Sequence, residues 1–277
     1  MRVLFVASEV FPLVKTGGLA DVVAGLPPAL TQLGMDVRVL VPGYPKVMDG
    51  LELTGKVVRL GNIIGGGAAR LLYGRVGELQ LLVLDAPQLY ERGGGPYAGP
   101  DGRDWPDNHR RFGALCDVAA WLAGPEGGPR WRPDLIHGHD WQSGLVPAYV
   151  SLMPGRRPAT ITTVHNLAYQ GVYSREVLPD LRLPWRMLDV RGLEFHGHLG
   201  FLKAGLWYSD KITTVSPTYA REIQTPTYGH GLDGLLRSRD ADLHGILNGI
   251  DTDVWNPATD PHLVAHYDHR DPFAGKA

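Results

Sequence analysis

The sequence predicts an α/β protein built on a doubly wound parallel β-sheet. Short, largely uncharged apolar segments alternate along the chain with segments whose apolar residues have helical spacing. The apolar segments are too continuous for strands with one face in water, so they fit parallel strands that are buried on both faces. Their alternation with helices favours right-handed crossovers and a single open sheet. We therefore expect a Rossmann-like architecture.

The N-terminal segment, residues 2–34, predicts a strand, a glycine turn and a helix. Its first residues, RVLFVAS, are nearly all apolar, Gly17 and Gly18 then interrupt regular structure, and helical spacing resumes at Leu19. A Gly-Gly pair at a helix start exposes backbone N–H groups at the positive end of the helix dipole, where phosphate can bind. Lys15 adds a cation there. An ordinary tight turn beside a solvated lysine is the alternative, and these residues alone leave both open.

A second strand and an antiparallel excursion are predicted next. Residues 37–41 form an apolar strand segment that ends at a PGYP turn. Three further strand-like segments, at residues 57–64, 69–76 and 79–85, are separated by glycine-containing turns, which indicates an antiparallel insertion at the sheet edge. Residues 89–107 have the composition of a loop, and a loop of this length inside a compact domain is more often functional than filler.

The second half of the chain predicts the helices and strands that complete the sheet. In order, we expect a helix at 108–123, a strand at 134–139, a helix at 143–152, a strand at 159–165, a helix at 199–207, a strand at 211–216, a helix at 217–224 and a last strand beginning at 244. Pro217 can open its helix at the first position, where the missing N–H costs nothing. The residues after the last strand are polar, loop-like and rich in proline.

Composition supports a globular protein and excludes several classes of partner. The chain has 277 residues, is 44% hydrophobic and 20% charged, and carries a formal net charge of −2, so no overall field favours nucleic acid or an anionic membrane. Cys116 is the single cysteine and cannot form an internal disulfide, which fits a reducing compartment. No uncharged apolar segment is long enough to span a bilayer. We therefore expect a cytoplasmic protein without nucleic-acid or membrane partners.

Three groups of polar residues follow predicted strands, where ligands bind in open α/β sheets. They are Lys15–Gly18, residues 139–142 (HDWQ), and His165 with Asn166. The HGHD sequence around the second group also allows a metal site, because alternate histidines share one face of a strand and His165 could add a ligand. No nearby carboxylate–histidine pairing has a familiar metal-ligand spacing, however, and the first histidine is as readily a hydrogen-bonding residue of the sheet. We therefore expect neither a metal nor another cofactor.

Several motifs closely resemble those of bacterial glycogen synthases and plant starch synthases. They are SEVFPLVKTGGLADV at residues 8–22, IHGHDWQ at 136–142, TVHNLAYQG at 163–171, TVSPTYA at 214–220 and NGIDTDVWNP at 248–257. The resemblance extends along the whole chain. It implies a GT-B glycosyltransferase that transfers glucose from ADP-glucose to the non-reducing end of an α-1,4-glucan in glycogen biosynthesis. Transfer in this family retains the anomeric configuration, passes through an oxocarbenium-like state and needs no metal.

The resemblance also implies roles for individual residues. It makes Asp140 and His165 catalytic, with Asp140 placing negative charge near the developing positive centre. The remaining expected contacts are to the donor from Lys15, Gly17, Gly18, Asn166 and Asn248, and to the acceptor glucan from Tyr97, Trp141 and Asp21. Acidic residues beside the lysine, Glu9 and Asp21, are expected to orient it. For Trp141 and for Trp105 the alternative is a structural packing role.

Enzymes of this family have two α/β lobes around a cleft, and their second lobe carries the nucleotide pocket. No counterpart of that pocket is found in this sequence. The resemblance therefore implies that residues 1–250 are the N-terminal lobe, and that residues 251–277 are an interdomain linker and the truncated start of the C-terminal lobe. We expect the missing lobe to be a partner, beside ADP-glucose and glycogen or maltooligosaccharide, and the chain alone to be inactive. A non-catalytic glucan-binding half-domain and, less favoured, a metal-dependent hydrolase are the alternatives.

Overall fold

The computed structural model describes residues 1–125, 127, 131–273 and 275. The chain divides into two compact units, Met1–Leu247 and Asn248–Ala277. The first unit holds the helices and strands named below, whereas the described part of the second consists of turns and irregular, largely exposed chain. Residues 126 and 128–130, and residues 274, 276 and 277 of the predicted linker, lie outside the described residues.

The first unit alternates strands and helices as the sequence predicts. Its strands are β1 (Arg2–Val6), β2 (Asp36–Pro42), β3 (Glu52–Leu60), β4 (Ala69–Val76), β5 (Leu79–Asp85), β6 (Leu135–His139), β7 (Ala159–Val164), β8 (Val172–Tyr173), β9 (Glu194–Phe195), β10 (His198–Gly200), β11 (Lys211–Thr214) and β12 (Leu243–Gly245). Its α-helices are α1 (Leu19–Gln32), α2 (Pro45–Gly50), α3 (Pro87–Tyr90), α4 (Asn108–Ala123), α5 (Val146–Ser151), α6 (Phe201–Tyr208), α7 (Pro217–Glu222) and α8 (Asp233–Ser238). No helix within the described ranges is long and apolar enough to cross a membrane.

Most of the strands form one sheet, which confirms the predicted fold class. In the described part of the chain its order is β12-β11-β7-β6-β1-β2-β5-β4-β3. The neighbours from β12 to β5 pair in parallel. The strands β4 and β3 pair antiparallel at one edge, which confirms the predicted excursion. The carboxyl ends of β7, β6 and β1, three adjacent strands, consequently lie side by side.

Burial of the central strands explains their apolar sequence. In β1 the side chains from Val3 to Val6 are essentially inaccessible, and β2 and β5 are similarly buried. Helix α4 turns Phe112, Leu115 and Val118 into the same core. Burying one large apolar side chain contributes about 1.5–3 kcal/mol to the free energy of unfolding, so these contacts hold α4 against the central strands β1 and β2.

Some elements of the fold do not follow from the sequence pattern. Helix α2 begins at Pro45, inside the predicted turn, because proline fits the first position of a helix. Strand β3 begins five residues earlier than predicted, at Glu52 rather than residue 57, because it is an exposed edge strand without an apolar pattern. The strands β8, β10 and β9 form a separate small sheet, and α8 was also unpredicted.

Candidate functional site

The residues that follow β1, β6 and β7 form the candidate site. The chain leaves β1 through a loop that reaches the amino end of α1, and β6 and β7 end immediately before Asp140 and His165. Parallel pairing of β1 with β6 and of β6 with β7 brings these ends to one edge of the sheet. This edge is where ligands bind in open α/β folds. The structure thus brings together the three groups of polar residues that the sequence places after strands, and their binding roles stay predictions.

Glu9 organises the glycine turn between β1 and α1. Its side chain is buried, with 3% of the residue surface exposed. Its carboxylate accepts the Thr16 N–H at 2.5 Å, the Thr16 hydroxyl at 2.6 Å and the Gly17 N–H at 3.3 Å. The Tyr97 hydroxyl donates a fourth hydrogen bond to it. The N–H groups of Thr16 and Gly17 therefore already donate to Glu9. An anion at this turn would contact Lys15 and the unobstructed side of Gly17 and Gly18.

Asp21 holds Lys15. Both Asp21 carboxylate oxygens lie 2.7 Å from the Lys15 Nζ. The two side chains are 43% and 49% exposed, so water screens the ion pair and it contributes only about 0–1 kcal/mol. The expectation that Glu9 also orients this lysine was wrong, because the hydrogen bonds of Glu9 go to the turn backbone, Thr16 and Tyr97 instead. Direct glucan binding by Asp21 stays a prediction.

Gly17 and Gly18 have no structural need to be glycine. A Cβ added at either position would meet nothing within 4 Å. Gly18 has φ −69°, an ordinary right-handed value that any residue adopts. Glycine is normally required where φ is positive or where another group approaches the backbone closely. Neither requirement is seen at these positions within the described residues, and the expected contact of both glycines with the donor stays a prediction.

Asp140 is a strained, buried carboxyl at the tip of β6. Its φ is 55°, which is disfavoured for a residue with a side chain. Its N–H donates to the Thr163 carbonyl at 2.9 Å, and its Oδ1 accepts the His165 N–H at 2.7 Å. Burial raises the pKa of Asp140 to about 7, the Glu9 charge adds to this rise, and backbone hydrogen bonds from His165 and Asn166 oppose it. Strain combined with a perturbed pKa is typical of functional carboxyls.

Three histidines lie side by side behind this tip. The His139 Nδ1 is 3.0 Å from the His165 Nε2, and the His137 and His139 rings stack with centroids 4.3 Å apart. The His137 Nε2 lies 2.5 Å from the Thr163 hydroxyl. Burial lowers the pKa of His165 to about 4 and that of His137 to about 3, so both are neutral near pH 7.

A metal site does not result from this arrangement. Among the residues that the structure describes, no group of three or more His, Cys, Asp or Glu side chains could hold a metal ion. The contacts of His137 and His139 are instead with protein groups, Thr163 and His165.

Two asparagines were predicted to contact the donor. Asn166 is exposed, and its Oδ1 accepts the Ala168 N–H at 3.0 Å, which closes a local turn. Its Nδ2 has no partner within the described residues and remains a free donor. Asn248 is the first residue of the second unit and is exposed. Its donor contact stays a prediction.

Tyr97 and Trp141 were predicted as platforms for the acceptor glucan. The Tyr97 hydroxyl is occupied by Glu9 and by the Ser8 hydroxyl, whose Oγ lies 2.8 Å away, so Tyr97 ties the 89–107 loop to the glycine turn. Trp141 is only 8% exposed, and its ring contacts Phe112 edge-on with centroids 4.9 Å apart. The structure therefore favours the packing role for Trp141, whereas glucan binding by the half-buried ring of Tyr97 stays a prediction.

Trp105 also has a packing role within the 89–107 loop. Its indole N–H donates to the Gly95 carbonyl at 3.3 Å, and the Arg92 guanidinium lies 4.8 Å from its ring centroid. Arg92 in turn forms a paired ion contact with Asp107 at 2.9 Å. The loop that carries Tyr97 is consequently ordered by its own residues.

Arg111 is a structural residue of the site that the sequence analysis missed. It is fully buried and donates to the carbonyls of Leu89 at 2.9 Å and Pro96 at 2.8 Å and to the Asn108 Oδ1 at 2.6 Å. These contacts hold both ends of the segment before Tyr97. A charged residue on the apolar face of α4 was the signal that could have identified it.

The chain matches known proteins along almost its whole length. The family model described as the starch synthase catalytic domain matches residues 2–238. Glycogen synthases of Rhodospirillum rubrum and Roseobacter denitrificans are 52% and 55% identical over 100% and 96% of the chain. The catalytic domain of Starch Synthase IV from Arabidopsis thaliana, bound to ADP and acarbose, is 31% identical and superposes with a TM-score of 0.81 over 98% of the chain. The chain spans about half the length of these proteins, 57%, 55% and 56% respectively.

Proposed function

Because the chain belongs to the family of starch synthase catalytic domains, we propose that it provides one side of the active site of a glycogen synthase. The reaction is transfer of glucose from ADP-glucose to the non-reducing end of an α-1,4-glucan, with retention of the anomeric configuration. The relatives are nearly twice as long as this chain, so the nucleotide pocket is assigned to the part of the protein that follows the matched residues. The cytoplasm is the proposed location.

One observation carries this proposal: the glycine turn and the two strand tips meet around the buried Glu9. Glu9 holds the backbone at Thr16 and Gly17, and its charge contributes to the raised pKa of Asp140. Asp140 in turn accepts the backbone N–H of His165. A cation, a perturbed carboxyl and a neutral imidazole are thus held on one rigid sheet edge, as an active site requires.

The proposed roles follow from charge. Departure of a nucleoside diphosphate develops negative charge on its phosphates, and the Lys15 ammonium at the glycine turn stabilises that charge. The sugar develops positive charge, and ionised Asp140 stabilises it from the tip of β6. The uncharged His165 and the free Asn166 amide act as hydrogen-bonding groups that orient sugar hydroxyls. Preorganisation by Glu9 means that the turn does not reorganise as charge develops.

The test is glucose incorporation. The full-length gene product is incubated with labelled ADP-glucose and glycogen, beside its Asp140→Asn variant and beside the 277-residue chain alone. We expect transfer by the wild-type product, a loss of at least about a hundredfold in Asp140→Asn, and none by the chain alone, because transfer needs groups from both sides of a closed cleft. Absence of transfer by the full-length product would refute the function and favour a glucan-binding role. Transfer by the chain alone would refute the two-sided site.

A further inference from the structure

His139 is a buried histidine to which the proposed reaction assigns no role. It has no accessible surface, and its ring packs against those of Phe5 and His137, with centroids 5.2 and 4.3 Å away, which also contact each other. Its Nδ1 lies 3.0 Å from the Nε2 of His165. Its Nε2 is buried and has no hydrogen-bond partner within the described residues. Because only the Nδ1 of His139 has a hydrogen-bond partner, the environment determines which of its two nitrogens carries the ring proton.

A neutral histidine carries one ring proton, and two arrangements fit the contact between the two rings. In the first, His139 carries its proton on Nδ1, and this N–H donates a hydrogen bond to the His165 Nε2. In the second, His165 donates from Nε2, and the proton of His139 is then on its own Nε2, where it has no acceptor. Buried N–H groups without an acceptor are rare in folded proteins because they lose their hydration without replacement. The first arrangement leaves only an unpaired ring lone pair in an aromatic stack.

The position of the ring proton on His139 determines its position on His165. If the His165 Nε2 accepts a hydrogen bond from the His139 Nδ1–H, it is unprotonated, and the single ring proton of His165 must be on Nδ1. The Nδ1 of His165 has no partner within the described residues, yet it is not among the fully buried unpaired atoms, so it remains accessible. The backbone of His165 is fixed by its N–H bond to Asp140. The accessible edge of the ring is therefore an N–H donor of fixed direction.

We propose that His139 is a positioning residue that holds His165 in the Nδ1–H tautomer and thereby presents a hydrogen-bond donor to the ligand side of the sheet edge. The acceptor it meets is an oxygen of the ligand, either a sugar hydroxyl or a phosphate. His139 touches no substrate itself. The consequence for turnover rests on the proposed function, whereas the tautomer is a property of the chain alone, so the two fail separately.

The first experiment reads the tautomer directly. The chain is labelled with ¹⁵N in its histidine rings, and long-range ¹H–¹⁵N spectra are recorded near pH 7, with His165 assigned from the signal lost in His165→Gln. We expect a protonated Nδ1 and an unprotonated Nε2 in His165. An Nε2–H form of His165 in the wild-type chain would overturn the proposal whatever the activity data show.

Matched variants test whether His139 is the cause. His139→Phe keeps a ring in the stack and removes the donor, so the Nδ1–H form of His165 should lose its dominance while the protein stays folded. His139→Asn places an amide N–H where Nδ1 was and should restore part of the wild-type pattern. His137→Phe is the control, because it changes the neighbouring stacked ring without touching the His165 hydrogen bond. An unchanged His165 spectrum in His139→Phe would refute the assignment.

Kinetics of the full-length gene product supply the second readout. His139→Phe should lower kcat by about ten- to a hundredfold through misorientation of His165. The KM for ADP-glucose should change less than about twofold, because the interaction matters most in the transition state. His139→Asn should recover part of kcat, and His137→Phe should retain it. A fall in kcat of equal size in His137→Phe would show a general packing effect and overturn the positioning role.

Discussion

Replacing Lys15 by alanine should separate donor use from stability. The only ion pair of Lys15 within the described residues is with Asp21, and both side chains are nearly half exposed. Such a pair is worth about 0–1 kcal/mol, so the free energy of unfolding should change by less than that amount. Asp21 keeps its hydration after the change, since no buried charge is left without a partner.

The effect on the donor should be much larger. In the proposed complex the Lys15 ammonium exchanges a screened contact with Asp21 for a charge-assisted hydrogen bond to phosphate, worth about 1.5–3 kcal/mol. One factor of ten corresponds to about 1.4 kcal/mol, so kcat/KM for ADP-glucose should fall roughly ten- to a hundredfold. Lys15→Gln should behave similarly, because glutamine keeps a polar side chain, one bond shorter, but not the charge.

The assay is initial-rate kinetics of the full-length gene product with varied ADP-glucose and saturating glycogen, paired with thermal unfolding. Lys46→Ala is the matched control, because Lys46 is an exposed lysine at the start of α2 and lies outside the candidate site. It should leave both measurements unchanged. Unaltered donor kinetics in Lys15→Ala, or a loss of stability well above about 1 kcal/mol, would refute the reasoning.

Three further predictions concern the same edge of the sheet. Glu9→Gln puts an amide N–H₂ where N–H and O–H donors converge, so the unfolding free energy should fall by about 2–4 kcal/mol and donor kcat/KM at least about tenfold. Glu78→Gln, in the exposed turn between β4 and β5, is the control for chemical denaturation. Gly17→Ala should keep the unfolding free energy within about 0.5 kcal/mol yet weaken ADP-glucose binding by calorimetry, and unchanged binding would contradict ligand approach to the turn. Because the pKa of Asp140 is raised from 3.8 to about 7 in the folded chain, its stabilising contribution is complete below about pH 4 and is lost as the pH rises through about 7. The difference in unfolding free energy between the wild-type chain and Asp140→Asn should therefore decline from about pH 4 to about pH 7. A difference that does not change with pH would contradict the argument that burial raises the pKa of Asp140.

The local sequence pattern predicted the strands and the helix that pack into the hydrophobic core. Helix α4 and the strands β4 and β5 have the predicted bounds, and β1 and β7 differ only at their carboxyl ends. Buried parallel strands and an amphipathic helix leave a periodic apolar signal, so no knowledge of their partners is needed. The meeting of the three predicted polar groups followed too, because the parallel topology places the carboxyl ends of adjacent strands side by side.

Features that depend on distant contacts were not predictable. The first part of strand β3, residues 52–56, is exposed and pairs with β4, and the two-residue strand β8 is defined by pairing with β10, so neither has an apolar pattern of its own. The role of Glu9 was misassigned for the same reason. Its partner Tyr97 is 88 residues away, and the sequence distance hides a contact that only the folded sheet creates.

The polar groups at the sheet edge divide into those that the protein satisfies and those that it leaves open. Glu9 and the Asp140 Oδ1 are fully engaged with backbone N–H groups or with Tyr97. The Nδ1 of His165 and the Nδ2 of Asn166 have no partner within the described residues. The strained φ of Asp140 costs about 1–3 kcal/mol, and the hydrogen bonds of Asp140 with Thr163 and His165 offset part of that cost. In the proposed complex these two nitrogens are the groups of the sheet edge that remain to be satisfied, and the oxygen atoms of a sugar or phosphate would accept hydrogen bonds from them.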